Sequence, residues 1–525
     1  MSGSHRNLPS RRSFLSRAAL LGSGLGSGLG SVLGSGAAPA LLRGAAARRP
    51  NILFAISDDQ SYPHTGATGD KVVKTPSFDR VAAEGVLFRQ AYGLSPGCAP
   101  SRAGILTGRF PWQIEEAGTH ASAFPRSLTV YPNLLAAAGY HVGLTGKGAG
   151  PANFQGSGWP HNPAGPPYDK RRAPTRGLQI NANDYAANFE DFLGARPKDS
   201  PFCFWFGCHE PHRGYTKGSG LKSGKRLEDV TVPPFLPDNA EVRGDLLDYY
   251  LEIEHFDSHL GRMLAMLEKA GELDNTLVVA TADNGMSFPG SKASMYDYGI
   301  HLPLTMMWKD RAKGGRVSDD LVSFADFAPT FLEAAGVRPA PAMVGRSLVS
   351  LLGSGRSGRI EPSRERVFSG RERHSHARRD NLGYPARAMR EGKYLYIWNM
   401  KPDRWPAGDP KEYYDIDNGP TKTWMMANQA ESRVLFEHGF GKRPEEELFD
   451  VAADPGCLRN LAGEAAHART RASMRRTLER ALEQQRDPRV TGNGDIWESY
   501  PRYSGMRPEL GGFAEQGKYN PNYRH

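Results

Sequence analysis

Four apolar runs in this chain each end in polar residues, and that repeated ending constrains the fold more than any other feature. Asn51-Ile-Leu-Phe-Ala-Ile-Ser57 runs into Asp58-Asp59, and Tyr140 to Leu144 runs into Thr145-Gly146-Lys147. Phe202 to Phe206 leads to His209-Glu210-Pro211-His212, and Thr276 to Ala280 leads to Asp283-Asn284. Short, continuous apolar runs bounded by polar residues predict fully buried strands. Helix signals lie between them. Thr75-Pro76 predicts an N-cap and first helical residue for a helix through Phe78, Val81 and Ala82. Leu134 to Ala138 predicts a helix stopped by Gly139, and Asp245 to Ala270 a long amphipathic helix stopped by Gly271. Strands alternating with helices make an α/β fold, with a large, mixed, mostly parallel sheet flanked by helices. Sites in such sheets gather beyond the carboxyl ends of the strands, so the four polar endings are expected to meet.

From about Arg366 the pattern changes. Ala386 to Trp398 predicts paired strands around a turn at Glu391-Gly392, followed by Glu447-Leu-Phe-Asp450 and a charged helix near Arg469 to Gln485. This divides the chain into an α/β domain over 48–365 and a smaller α+β domain with an antiparallel sheet over 366–525. The last thirty or so residues, rich in Gly, Pro and Tyr, are expected to wrap the surface.

Residues 1–47 read as a signal peptide. Ser10-Arg-Arg-Ser-Phe-Leu15 is close to a twin-arginine motif, and a weakly apolar stretch follows it. Ala38-Pro39-Ala40 and Ala45-Ala46-Ala47 are alternative cleavage sites. Export of the folded protein through the twin-arginine (Tat) translocon is expected, placing it in the periplasm or outside the cell. The segment holds five arginines and no acids, so its removal takes the formal charge from +9 to +4. That small excess gives no support to a nucleic-acid partner. No stretch after residue 50 is long and apolar enough for a stable membrane anchor. Four cysteines are too few for a disulfide framework, and none has zinc-site spacing.

Asp58, Asp59, Asp283 and Asn284 offer hard oxygen ligands, which suit Ca²⁺ or Mg²⁺. Asp-Asp after a strand also caps helices, and Asp-Asn-Gly is a common turn, so each pair alone is a weak signal. Cys98-Ala-Pro-Ser-Arg102, continued to Arg109 with Leu-Thr-Gly-Arg, is a longer string. Pro100 and Ser101 are expected to open a helix just after Cys98, whose free N–H groups favour an anion.

The string Cys98–Arg109 resembles the signature of the type I sulfatases. That resemblance implies an alkaline-phosphatase-like fold and oxidation of Cys98 to formylglycine by a formylglycine-generating enzyme. A thiol is the wrong nucleophile for sulfate, whereas a hydrated aldehyde has one oxygen to attack sulfur and a second to expel it. The resemblance further implies Ca²⁺ (or Mg²⁺) on Asp58, Asp59, Asp283, Asn284 and the residue-98 oxygen. Arg102 would hold the hydrate, Lys147 and Lys292 the sulfate; His209 would protonate the leaving group and Asp283 serve as base. Three segments look like the heparan N-sulfatase branch and its bacterial relatives: His209-Glu-Pro-His-Arg213, Val230 to Asp238, and Asp283 to Lys292. His212 and His374 are implied at the substrate, a sulfated glycan or polysaccharide. Many sulfatases place a histidine two residues after the active-site lysine, but here Lys147 is followed by Gly148-Ala149-Gly150. Either another histidine (His64, His120 or His212) or water stands in, or sulfate release is slower. The implied activity is hydrolysis of a sulfuric ester or sulfamate on carbohydrate. Its rivals are a phosphatase or phosphonate hydrolase of the same superfamily and a catalytically silent sulfoglycan-binding protein.

Overall fold

The computed structural model describes residues 48–512. The twin-arginine motif, both cleavage motifs and the end of the tail lie outside the described residues. The described strands are β1 (Asn51–Ser57), β2 (Val86–Phe88), β3 (Ala91–Tyr92), β4 (His141–Gly146), β5 (Phe202–Gly207), β6 (Thr276–Ala282) and β7 (Leu304–Met307), followed by β8 (Arg316–Ser318), β9 (Val322–Ser323), β10 (Arg366–Arg371), β11 (Ala386–Glu391), β12 (Tyr394–Asn399) and β13 (Glu446–Asp450). The main sheet has the order β4-β5-β1-β6-β7-β2-β8. Only β7 in it is reversed, being antiparallel to both β6 and β2. β3 and β9 make a short parallel pair, and β10 to β13 form an antiparallel sheet in chain order.

β1 sits centrally with all its residues buried, because helices cover both faces. Ile52, Phe54 and Ile56 point into a core that includes Ile105, Leu106, Phe327 and Phe331. Leu53 and Ala55 point the other way, toward Phe256, Leu260 and Leu264 of the Ala240–Lys269 helix. That alternation is the period of two expected of a strand, with both faces dry. The first core continues into the antiparallel sheet through Met389, Tyr396 and Leu448, and onto Leu478 of the Ala468–Gln484 helix. The expected turn between β11 and β12 is present, with Gly392 at φ +56. Among the described residues, no helix is long and apolar enough to cross a membrane.

Three local expectations are adjusted. Thr75 precedes its helix, but its hydroxyl accepts from the Gly66 N–H at 2.8 Å and donates to Asp79 at 3.1 Å. The helix start is capped from a distance instead: the Asp257 carboxylate accepts from the N–H groups of Ser77 (2.9 Å) and Phe78 (2.7 Å). β4 runs two residues beyond Leu144, since Gly146 still pairs with Gly207 and the absent side chains let the strands meet closely. The tail is not confined to the surface at its start: Trp497 and Tyr500 are buried in the first core.

Candidate active site

A helix spans Cys98–Thr107, so Cys98 is its first residue and Gly97 its N-cap. Every residue of this helix is buried, and its start faces the carboxyl ends of the central strands. Arg102, one turn on, is locked beneath the site. Its Nε donates to Asp283 Oδ2 at 2.6 Å, Nη1 to the Lys147 carbonyl at 2.6 Å, and Nη2 to the Ser57 carbonyl at 3.4 Å. Ser101 Oγ donates to the Asp283 carbonyl at 2.6 Å. One helix thus ties together the ends of β1, β4 and β6.

Lys147 Nζ pairs with Asp58, and Lys292 Nζ with both carboxylate oxygens of Asp59. Asp59 has a left-handed backbone, φ +65, unusual for a residue with a side chain. Asn284 Nδ2 donates to Asp59 Oδ1 at 2.7 Å, and the Asp59 N–H donates to Asp283 Oδ1 at 3.1 Å. His209 follows β5, its N–H donating to the Tyr185 hydroxyl at 3.2 Å. His212 Nε2 lies 4.0 Å from Asp59 Oδ2.

An open cavity of about 550 Å³ lies above this floor. Asp58, Cys98, Lys147, His209 and His212 line it, together with His120. Arg102, Asp59, Asp283, Asn284 and Lys292 form the layer beneath. His374 is not among the lining residues. It packs behind His120, ring centroids 4.6 Å apart, where a Cβ on Gly97 would fall 2.7 Å from its Nδ1.

Burial sets the charge states. It pushes the Cys98 thiol up to about 11, so an unmodified thiol stays protonated at neutral pH. Burial also lifts Asp283 to about 6 despite Arg102. Burial opposes the charges on Lys147 and Asp58, but each offsets it in the other: Lys147 ends above the lysine range and Asp58 well below the carboxylate range. His209 is lowered by burial and then by Lys147.

The donor set fits a hard dication. Ligand atoms of Asp58, Cys98 and Asp283 lie within 4.8 Å of one another. Asp58 Oδ1 and Asn284 Oδ1 are buried without a hydrogen-bond partner among the described residues, as oxygens reserved for a cation would be.

Three further residues shape the site. His120, one of the histidines available to replace the missing one, comes from the loop after the Cys98–Thr107 helix. Glu210 is a brace: its carboxylate accepts from the Tyr185 hydroxyl at 3.0 Å and the Asn181 N–H at 2.6 Å, fixing one cavity wall. Asp417 lies 3.6 Å from Lys292 Nζ, and burial, opposed by Lys292 and His212, leaves its carboxyl below the usual range. The Asp415-Ile-Asp417 spacing was the one available hint of the last.

A family model described as "Sulfatase" matches residues 50–337, and one described as "N-sulphoglucosamine sulphohydrolase, C-terminal" matches residues 290–432. The chain is 27% identical over 500 residues to N-sulphoglucosamine sulphohydrolase from Homo sapiens, covering 87% of this chain and 95% of that one. It is 26% identical over 479 residues to an ulvan-active sulfatase from Formosa agariphila, covering 83% and 75%. A solved structure in complex with its substrate D-glucosamine-2-N,6-O-disulfate aligns with a TM-score of 0.61 at 22% identity, covering 84% of this chain and 99% of that one.

Proposed function

The chain belongs to the sulfatase family, and from that membership we propose that it hydrolyses sulfate esters or sulfamates on carbohydrate, with residue 98 as nucleophile. The observation that carries this reading is the shared cavity: Cys98, Lys147 and His209 face one space of about 550 Å³, within the range that holds a sugar. The names of the relatives, two of which act on sulfated saccharides, support the substrate class.

Residue 98 would act as formylglycine, whose hydrate supplies the attacking oxygen that the protonated thiol cannot. Asp58, Asp59, Asp283 and Asn284 would hold Ca²⁺ or Mg²⁺, which makes the hydrate more acidic and draws the sulfate in. The protein supplies the rest. Lys147 and the helix start at Cys98 bind the sulfate charge, and Lys292 adds positive charge below it. Arg102 fixes the geometry through its three bonds. His209, on the cavity wall, is placed to protonate a departing alkoxide or amide anion. We further propose export through the twin-arginine route, from the Ser10–Leu15 motif, to the periplasm or beyond.

The test is mass spectrometry of the residue-98 peptide from protein exported by an aerobic host, paired with hydrolysis assays. Replacement of the thiol sulfur by oxygen, with release of sulfate from N- or O-sulfated glucosamine and none from Cys98→Ala, is the expected result. An unmodified thiol with retained glycan binding would favour the binding-protein reading. Faster cleavage of phosphonate monoesters than of any sulfated sugar would favour the phosphonate hydrolase.

A further inference from the structure

Ala149 is fully buried in the first core, and its N–H donates to Asn162 Oδ1 at 3.1 Å. Any side chain at Gly148 would run into the Asn162 amide. The loop after β4 is therefore packed against an imidazole at 149. Other histidines reach the nucleophile's cavity. His212 stands on the Asp59 side, with Nδ1 3.2 Å from the Arg213 carbonyl. His64 is elsewhere, paired with Asp70 at 3.2 Å. His120 lines the cavity together with Cys98, and its ring packs on His374, which lies against Gly97 just before Cys98. Its Nδ1 is buried and has no hydrogen-bond partner among the described residues.

The backbone around His120 is held from several directions. Its N–H donates to the Arg373 carbonyl at 3.1 Å, and Arg502 Nη1 donates to the carbonyls of His120 (3.5 Å) and His374 (3.2 Å). Ser122 Oγ donates to the Pro501 carbonyl at 2.6 Å, and the Tyr503 N–H to the Ala121 carbonyl at 2.7 Å. Ala121 is left-handed, φ +58, a conformation this bracing must sustain. Such support holds a side chain in a fixed pose.

Sulfate release needs a proton acceptor. Asp283 has both oxygens committed, one to the Asp59 N–H and one to Arg102. We propose that His120 is the base that takes the proton of the free residue-98 hydroxyl as sulfate departs. This rests on residue 98 being formylglycine. The carbon–oxygen bond to the sulfated oxygen breaks, and its electron pair leaves with sulfate. The O–H electrons of the other hydroxyl form the aldehyde carbonyl, and its proton passes to His120; no oxidant or reductant is needed. Burial, then the neighbouring His374, hold His120 well below the usual histidine range, which keeps its ring neutral and able to accept.

His120→Gln tests this, with His212→Gln beside it. In H120Q, nitrophenyl sulfate should still release nitrophenol to about one equivalent in the first turnover, then turn over ~10²-fold more slowly, the typical span for a lost general base. The residue-98 peptide should carry a covalent sulfate during turnover, and added imidazole should restore the rate. Unchanged turnover with no sulfated peptide would overturn the proposal. So would loss of the first turnover along with the rest, or sulfated peptide in H212Q alone. A wild-type chain without the residue-98 aldehyde would instead overturn the hydrolase reading itself, and that is seen before any variant is made.

Discussion

Arg102 Nε meets Asp283 Oδ2 at 2.6 Å with both side chains fully excluded from solvent. The pair ties the Cys98–Thr107 helix to the end of β6, and the same guanidinium also holds the carbonyls of Lys147 and Ser57. Arg102→Ala would leave Asp283 buried and uncompensated. We expect a loss of about 3–5 kcal/mol, the usual cost of breaking a buried pair on one side. Urea unfolding of R102A checks it; a change under 1 kcal/mol would show that the pair does not organise the site.

The orphaned oxygens of Asp58 and Asn284 predict a cation dependence of stability. Protein stripped with a chelator should melt at lower temperature, and Ca²⁺ should restore it by about 2.7 kcal/mol at a hundredfold excess over its Kd. Calorimetry with Ca²⁺, Mg²⁺ and no metal reads this directly. Absence of any shift with either ion would mean the oxygens serve another ligand.

Gly207 meets the loop after β4 so closely that a Cβ would collide with the Lys147 carbonyl. Gly207→Ala should therefore displace Lys147 and lower kcat/KM by ~10²-fold, the scale set by misplacing a catalytic group by about an ångström. Gly353→Ala, where nothing lies within 4 Å, is the control expected to keep full activity.

His259 on the long helix accepts from the Ala186 N–H at 3.3 Å, and burial, with His255 and Arg262 nearby, lowers it to about 3. The unfolded chain binds its proton near 6.5 and the folded chain only near 3, so stability is complete above 6.5 and falls as pH drops between the two. Within that window His259→Gln should flatten the slope of unfolding free energy by up to about 1.4 kcal/mol per pH unit. Denaturation midpoints at pH 4, 5, 6 and 7 are the measurement, and parallel slopes would contradict it.

The sheet and its floor were legible because each functional group directly follows a buried strand or opens a helix. Asp58, Lys147, His209 and Asp283 carry their address in the residues just before them. His120 and Asp417 do not: loops place them, and the loops are placed by remote partners. Arg373 and Tyr503 hold the His120 loop, while Arg371 and Arg378 hold Asp415, two residues before Asp417. His374 shows the same limit in reverse, since the resemblance implied it at the substrate yet its ring stands behind another histidine.

The burial of Trp497 and the bonds from Arg373 to the carbonyls of Tyr500 and Pro501 have a consequence for the order of synthesis. Ser122 and Pro501 are joined across 379 positions, so the support of the His120 loop is still incomplete when nearly all of the chain has left the ribosome. Cys98 itself is 1% exposed in the folded chain. The C-terminal residues thus finish the support of the His120 loop, and a chain cut short of Trp497 would keep its ligands in sequence while losing the brace that sets one of the cavity's histidines.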